Sequence, residues 1–428
     1  MKILVVGGGG REHALAWKLA GEPGVNEVIC APGNAGIASV ARLANESAGD
    51  PGPLAALAER ERIDLTVVGP ELPLDRGIAD LFVARGLRVF GPSRAAAQLE
   101  CSKVFAKAFM ERHGIPTARY RVCESAAAAY ALVASAELGF PVVVKADGLA
   151  AGKGVVVAPD RAAADDAIRA AMEDRQFGAA GSRLVIEECL TGPEVSVFAL
   201  CDGTRALPLS SAQDHKRIFD DDRGPNTGGM GAFAPSPLVD GAMAARIMHD
   251  VVRPVLDGLR EEGEQYRGFL YAGLMLTADG PKVIEFNVRF GDPEAQVVIP
   301  MIAGELAPLL AAAADGALGD AAVTFRPERH VGVVVASKGY PGSSPSGLPI
   351  AGLDRAAALR DVLVFHAGTA AGDRGAVVTA GGRVLTIVGR AATFPEAIER
   401  AYAGVAQVRF DGMQYRRDIG KKALSHAH

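Results

Sequence analysis

Four short stretches carry residues whose types and spacing can do chemistry. KADGLAAGKGVVV, residues 145–157, has the glycines and lysine of a phosphate-binding loop. It fails as a P-loop on three counts. Only three residues separate Gly148 from Gly152 where four are needed, Lys153 is followed by Gly154 with no hydroxyl for a metal, and VVVAPD reads as a strand where a helix should start. The loop therefore joins two strands. Gly148, Gly152 and Gly154 can still expose N–H groups to an anion, with Lys145 as a fixed cation beside them. Read alone, it fits a plain flexible hairpin equally well. VIEFNVRFGDPEAQ, residues 283–296, is the acidic counterpart. Alternation sets Glu285, Asn287 and Arg289 on one face, with Ile284 and Phe286 on the other. A carboxylate and an amide oxygen two residues apart suit Mg²⁺, and an arginine beside them suits a transferring phosphoryl group. Alone, the strand reads more readily as an amphipathic strand with a solvated polar face. QDHKRIFDDDRGPNTGGMGAFAPSP, residues 213–237, packs charges and then glycines into a stretch of little use to a core. GGGGREH, residues 7–13, puts Glu12 or His13 where a dinucleotide fingerprint needs its third glycine, and no acidic residue closes the second strand, which argues against NAD. A helix start with Arg11 still suits a single phosphate.

The elements that must hold these residues follow from periodicity. KILVV, EVICA, DLTVVGPE and RVFGPS read as strands with helical patterns between them, which predicts a parallel α/β domain of about 100 residues. SKVFAKAFMERHGIPT is a helix ending at Gly114 and Pro116. Val142–Lys145 and 154–158 are strands around the glycine loop, DRAAADDAIRAAM is a helix and RLVIEECL a strand, so a small α+β module is expected. Further strands and a helix around 243–258 follow, then a strand-rich region from HVGVVVASKGYPG with one helix at FPEAIERAYAGVAQV. The 428 residues and net charge of −5 argue for several domains and against a general nucleic-acid binder. Cys30, Cys101, Cys123, Cys189 and Cys201 form no CxxC pair and read as reduced core thiols. With no apolar run of membrane length and too short a one for a signal peptide, the expectation is a cytoplasmic protein without membrane contact.

Taken in order, GGGGREHAL, GPE at 69–71, KADGLAAGKGV, EECLTGPEVS, QDHKR, GPNTGGMGA and RFGDPEAQ resemble the glycinamide ribonucleotide synthetase (phosphoribosylamine–glycine ligase) family of the ATP-grasp superfamily. The likeness covers nearly the whole chain, with Gly8 a mild departure in the first loop. It implies a Rossmann-like N-terminal domain over 1–101 and an ATP-grasp domain over 102–325, with a lid at about 122–190. A β-rich C-terminal domain over 326–428 would complete the fold. It implies that ATP, glycine and 5-phosphoribosylamine give glycinamide ribonucleotide, ADP and phosphate, with Mg²⁺ or Mn²⁺, in a monomer. Lys103 and Lys145 would approach the nucleotide phosphates, and 148–154, including Lys153, would be the flap. Glu187, Cys189 and Leu190 would border adenine, and Glu194 would take the ribose hydroxyls. Glu285 and Asn287 would hold the metal. Arg289, Asp214, Lys216 and Gly229 would surround the carboxylate and acyl phosphate, with Lys145, Arg289 and Asp214 catalytic and Asp292 near the glycine amine. Gly10, Arg11, Glu12, Asn34 and Glu71 would bind phosphoribosylamine. The rivals are a related ATP-grasp ligase or carboxylase for another acid, and a non-catalytic nucleotide sensor on the same fold.

Overall fold

The run KILVVG is apolar on both faces, which suits a strand covered by helices on both sides. In the computed structural model, which describes residues 1–149 and 154–425, it is β1 (Lys2–Gly7), buried from Ile3 onward. With β2 (Glu27–Pro32), β3 (Arg42–Leu43), β4 (Leu65–Val68) and β5 (Val89–Phe90) it forms a parallel sheet in the order β3-β2-β1-β4-β5. The helix Gly10–Ala20 leaves β1 directly and buries Ala14, Leu15 and Leu19. The α/β expectation holds. β3 carries no signal in the sequence because two exposed residues are too few for a period.

The small module is a four-stranded antiparallel sheet of β6 (Tyr120–Cys123), β7 (Val142–Ala146), β8 (Val155–Ala158) and β9 (Leu184–Glu188), ordered β6-β9-β7-β8. The helices Ala126–Ser135 and Arg161–Ile168 pack on it through Ala129, Val133, Ala164 and Ile168. The second helix then widens into a π-turn over Arg169–Glu173. Each starts at a side-chain cap, Ser125 or Asp160, that accepts an N–H of the first turn.

The remaining strands are β10 (Glu194–Asp202), β11 (Ala206–Asp214), β12 (Arg217–Phe219), β13 (Arg223–Asn226), β14 (Gly231–Ala234), β15 (Arg267–Thr277), β16 (Gly280–Asn287), β17 (Arg329–Ala336), β18 (Val362–His366), β19 (Thr369–Ala371), β20 (Val377–Thr379) and β21 (Arg383–Ala391). Eight of them make one antiparallel sheet, β16-β15-β10-β11-β14-β17-β21-β18, while β12–β13 and β19–β20 are separate hairpins. The sheet runs unbroken from the central region into the C-terminal one. Its narrowest junction is β11 to β14, where Gln213 pairs with Phe233 and Asp214 with Ala232. The charged QDHKR stretch thus lies at the seam. The helix Phe394–Val405 covers β21 and β17 through Ala397, Ala401 and Val405.

Cys30, Cys101, Cys123 and Cys201 are buried and Cys189 is half-buried, all unpaired. No helix of the described residues is long and apolar enough to cross a membrane.

His215, 1% exposed beside β11, has no hydrogen-bond partner for either ring nitrogen among the described residues. Burial pushes its pKa from 6.5 down to about 3, helped by Lys422 and Arg416 and opposed by Asp418 and Asp222. The unfolded chain therefore takes up the proton first, and the stability His215 contributes when neutral is lost as pH falls from about 6.5 toward 3. At pH 5 that loss is about 2 kcal/mol. In His215→Leu, the fall in unfolding free energy between pH 7.5 and pH 5 should be smaller by about that amount. Comparing the two proteins cancels the carboxyl groups that titrate in the same window. Parallel pH profiles in chemical denaturation would contradict the assignment.

Candidate active site

β7 and the helix Lys103–Arg112 place Lys145 and Lys107 around the Glu187 carboxylate of β9. Lys145, 5% exposed, meets the Glu187 carboxylate at 2.9 Å and donates to the Ile284 carbonyl at 3.0 Å. Lys107 lies 3.1 Å from the other Glu187 oxygen and donates to Thr117 Oγ1 at 2.8 Å. Burial lowers the Lys107 pKa to about 8, against the pull of Glu187. Lys103 donates to the Gly148 carbonyl at 2.9 Å, and burial lowers it too. The loop's first glycine is thereby tied to the helix Lys103–Arg112. Gly148 and Gly154 flank the loop, whereas Gly152 and Lys153 lie outside the described residues.

Glu187 has a side-chain role that the sequence reading did not include. Its side chain bridges Lys107 and Lys145 and anchors the cations, which leaves only its backbone for the adenine edge that the resemblance assigns to it. Cys189 and Leu190 follow the end of β9 and lie outside its ladder. Glu194 opens β10, half exposed, 2.9 Å from Lys216.

β16 does not alternate as expected. Gly273 pairs with Glu285 but Leu274 with Val283, so Ile284 is the extra residue of a bulge. Val283 therefore joins Phe286 and Val288 in the core, and the Ile284 carbonyl is free to accept from Lys145. Beyond the bulge the expected face survives: Arg289 donates to Asn287 Oδ1 at 3.1 Å. The Arg289 guanidinium also meets Glu100 at 2.9 Å and Glu71 at 3.3 Å. Burial pushes Glu100 up to about 7, with Arg289 opposing. The Glu285 carboxylate makes no hydrogen bond or ion pair among the described residues. Burial opposes its ionisation, but Lys216, Lys145, Lys103 and Arg289 hold its pKa below the usual value. An ionised carboxylate without a partner next to an amide oxygen is a donor set for a hard cation. No group of three or more His, Cys, Asp and Glu able to hold a metal occurs among the described residues, so a cation here needs further oxygens from its co-ligand.

Asp214 ends β11 near Lys216, Glu294 and Glu285; burial raises it to about 7 while Lys216 pulls the other way. The glycine-rich loop returns beside it. Gly229 has φ +109°, and a Cβ there would lie 2.5 Å from Pro293 Cδ, so only glycine lets the loop rest on the FGDPE turn. Asp292 accepts from Gln296 at 2.7 Å and pairs with Arg383 at 3.2 Å. Arg11 and Arg383 help hold it ionised against burial.

At the N-terminal sheet, Gly10 packs so closely on Gln296 that a Cβ would fall 2.3 Å from its amide nitrogen. Glu12 accepts from Gly9 N–H at 2.6 Å and from Arg11 Nε at 2.6 Å, which makes it the capping carboxylate of the first helix. Asn34 is likewise committed: it donates to the Gly8 and His366 carbonyls and accepts from Gly36 and Ile37, all at 2.9 Å. Both shape the pocket; Asn34 has no side-chain group to spare for a ligand, whereas each Glu12 oxygen can still accept a further hydrogen bond. Arg11 donates to the Phe290 carbonyl at 3.0 Å, and its second terminal nitrogen makes no hydrogen bond among the described residues. Glu71, the last residue of GPE, starts the helix Glu71–Asp75 and meets Arg289.

The fold therefore gathers Lys103, Lys145, Glu285, Asn287 and Arg289 around one region, with Asp214, Lys216, Gly229 and Asp292 along one side and Arg11 and Glu71 along another. Sequence reasoning missed Glu100, Lys107, Tyr340 and Arg383. Glu100 and Lys107 sit in helical stretches that read as ordinary surface. Tyr340 and Arg383 come from the C-terminal region, and no spacing links them to residues 228–292.

Three family descriptions match consecutive parts of the chain: the N domain of phosphoribosylglycinamide synthetase over residues 1–100, its ATP-grasp (A) domain over 101–295 and its C domain over 330–422. A protein of Ralstonia nicotianae named phosphoribosylamine–glycine ligase is 51% identical over 425 residues, covering 99% of this chain and all of that one. A crystal structure of phosphoribosylamine–glycine ligase from Thermotoga maritima superposes with a TM-score of 0.85 at 34% identity, over 98% of this chain and 100% of the other. A Campylobacter jejuni biotin carboxylase structure shares the fold at a TM-score of 0.73 and 18% identity, over 99% and 94% of the two chains.

Proposed function

The chain belongs to the phosphoribosylglycinamide synthetase family, and from that membership we propose that it ligates glycine to 5-phosphoribosylamine at the expense of ATP. The observation that carries the reading is the unpaired, ionised Glu285 beside Asn287, faced by Lys103, Lys145 and Arg289. These are the groups a nucleoside triphosphate and a phosphoryl transfer require.

A carboxylate is a poor electrophile. One glycine carboxylate oxygen attacks the γ-phosphorus of ATP, ADP departs, and glycyl phosphate forms. The amine of phosphoribosylamine then attacks the acyl carbon; the C–O bond to phosphate breaks, and the amine gives up a proton. Neither step needs an enzyme nucleophile. The chain contributes position and charge. Lys103 and Lys145 would hold the nucleotide phosphates, and Lys145 is already fixed by Glu187 and the Ile284 carbonyl. Arg289, rigidly paired with Glu100 and Glu71, would meet the phosphoryl oxygens. Asp292 would take the glycine ammonium. Asp214, raised to about 7, is suited to exchanging a proton at neutral pH. Glu285 and Asn287 would hold Mg²⁺ or Mn²⁺, which when bound neutralises charge on the phosphate oxygens. Glu194 and the Cys189–Leu190 segment are assigned to the nucleoside, and the loop around Gly148–Gly154 to excluding water from the acyl phosphate. The test is ADP release with purified chain: it should require glycine and phosphoribosylamine together, and bicarbonate should not replace glycine. Bicarbonate-driven release would move the chain to the carboxylase class, and nucleotide binding without turnover would make it a sensor.

Arg11 is assigned to the sugar phosphate because it stands in the first helical turn with a free terminal nitrogen. Arg11→Ala should raise the KM for phosphoribosylamine by roughly 10- to 100-fold, the loss of a charge-assisted hydrogen bond, with the KM for ATP nearly unchanged. If the ATP dependence collapsed and the sugar-phosphate dependence stayed, the N-terminal sheet would have the wrong ligand.

A further inference from the structure

We infer that Arg383, on the first residue of β21, is a positioning residue that sets the glycine pocket from the C-terminal region; the inference rests on the ligase reading above. One terminal nitrogen of Arg383 donates to both the Gly228 carbonyl and the Asp292 carbonyl, each at 2.6 Å. The other meets the Asp292 carboxylate at 3.2 Å. A single guanidinium therefore ties the glycine-rich loop to the turn after β16. Tyr340 seconds it: its hydroxyl accepts from the Gly228 N–H at 2.9 Å, so Gly228 is held through both its N–H and its carbonyl by residues of the C-terminal region. Gly229, next in the chain, rests on Pro293 with no room for a Cβ. The loop and the turn thus meet by direct packing at Gly229 and Pro293, and Arg383 supplies the side-chain polar bridge that fixes their spacing. A substrate ammonium held by Asp292 and a carboxylate facing the loop must fit a gap of fixed width. Widening that gap weakens recognition of a small amino acid far more than of ATP, whose lysines lie on β7 and on the helix Lys103–Arg112. A planar fork is needed because two carbonyls and a carboxylate are served at once; a lysine ammonium can replace the charge but not the reach.

The experiment uses the full chain with Arg383→Met, Arg383→Lys and Tyr340→Phe, reading KM for glycine, KM for ATP, kcat and Tm. Arg383→Met should raise the glycine KM by about 30-fold or more while the ATP KM stays within about twofold. Arg383→Lys should recover part of the loss, and Tyr340→Phe should raise the glycine KM by a few-fold. The rise in Tm that glycine produces in the presence of ADP should shrink in the same order. A glycine KM within about twofold of the parent in Arg383→Met, or glycine and ATP KM rising in step, would overturn the inference. Should Arg383→Met fail to fold, an unmoved glycine KM in both Arg383→Lys and Tyr340→Phe would overturn it equally. A parent chain that releases no ADP with glycine and phosphoribosylamine together contradicts the ligase reading itself, which separates the two failures.

Discussion

Lys145→Ala is expected to reduce turnover by at least ~100-fold and to weaken ATP by about 10- to 100-fold. The ammonium is held in place before any nucleotide arrives, by the Glu187 carboxylate and the Ile284 carbonyl. A cation already positioned needs no reorganisation when phosphate charge develops, which is why its removal costs rate as well as affinity. In binding alone, a charge-assisted contact contributes roughly 1.5–3 kcal/mol. The fold should survive, because Glu187 retains Lys107 at 3.1 Å as its counter-charge. Thermal unfolding without nucleotide separates the two effects. A variant with normal Tm, normal ATP affinity and normal turnover would remove Lys145 from the site.

The second large effect is at the proposed metal site. Glu285→Gln keeps an oxygen but removes the charge, so the Mg²⁺ needed for half-maximal activity should rise by roughly tenfold or more. Asn287→Leu keeps the bulk, removes the oxygen, and leaves Arg289 one partner fewer, so it should damage turnover at least as much. Phosphoryl transfer should slow in both. Neither variant should unfold early, since the Glu285 carboxylate makes no hydrogen bond or ion pair among the described residues and Asn287 contributes one side-chain bond. Early unfolding with an unchanged Mg²⁺ dependence would instead identify this face of β16 as structural.

The parts legible in the sequence were those with local period. The βαβ alternation through residue 90 is carried by short runs such as KILVVG and LTVV, and the glycine loop between β7 and β8 declared itself by what it lacked as a P-loop. Glu285 and Asn287 shared a face as alternation requires. The bulge at Ile284 was hidden, because one extra residue in a strand depends on its partner's register and not on its own composition. The continuity of the eight-stranded sheet was also hidden. β14 and β17 pair across about a hundred residues, and nothing in either strand names the other. Glu187 read as a nucleotide neighbour because its strand fits the family pattern; only packing shows that its carboxylate is consumed by Lys107 and Lys145. Arg383 follows a Gly-Gly turn at the start of a hydrophobic strand, where a lone cation looks like solvent exposure.

The central claim is that ATP activates the carboxylate of glycine. The most direct measurement follows oxygen: glycine labelled with ¹⁸O in its carboxylate, ATP and phosphoribosylamine are turned over by the purified chain, and the phosphate released is weighed by mass spectrometry. If glycyl phosphate forms, the attacking oxygen leaves with the phosphate, so each phosphate carries one ¹⁸O and the amide product retains the other. Phosphate released without label, while the amide still forms, would contradict carboxylate activation by ATP.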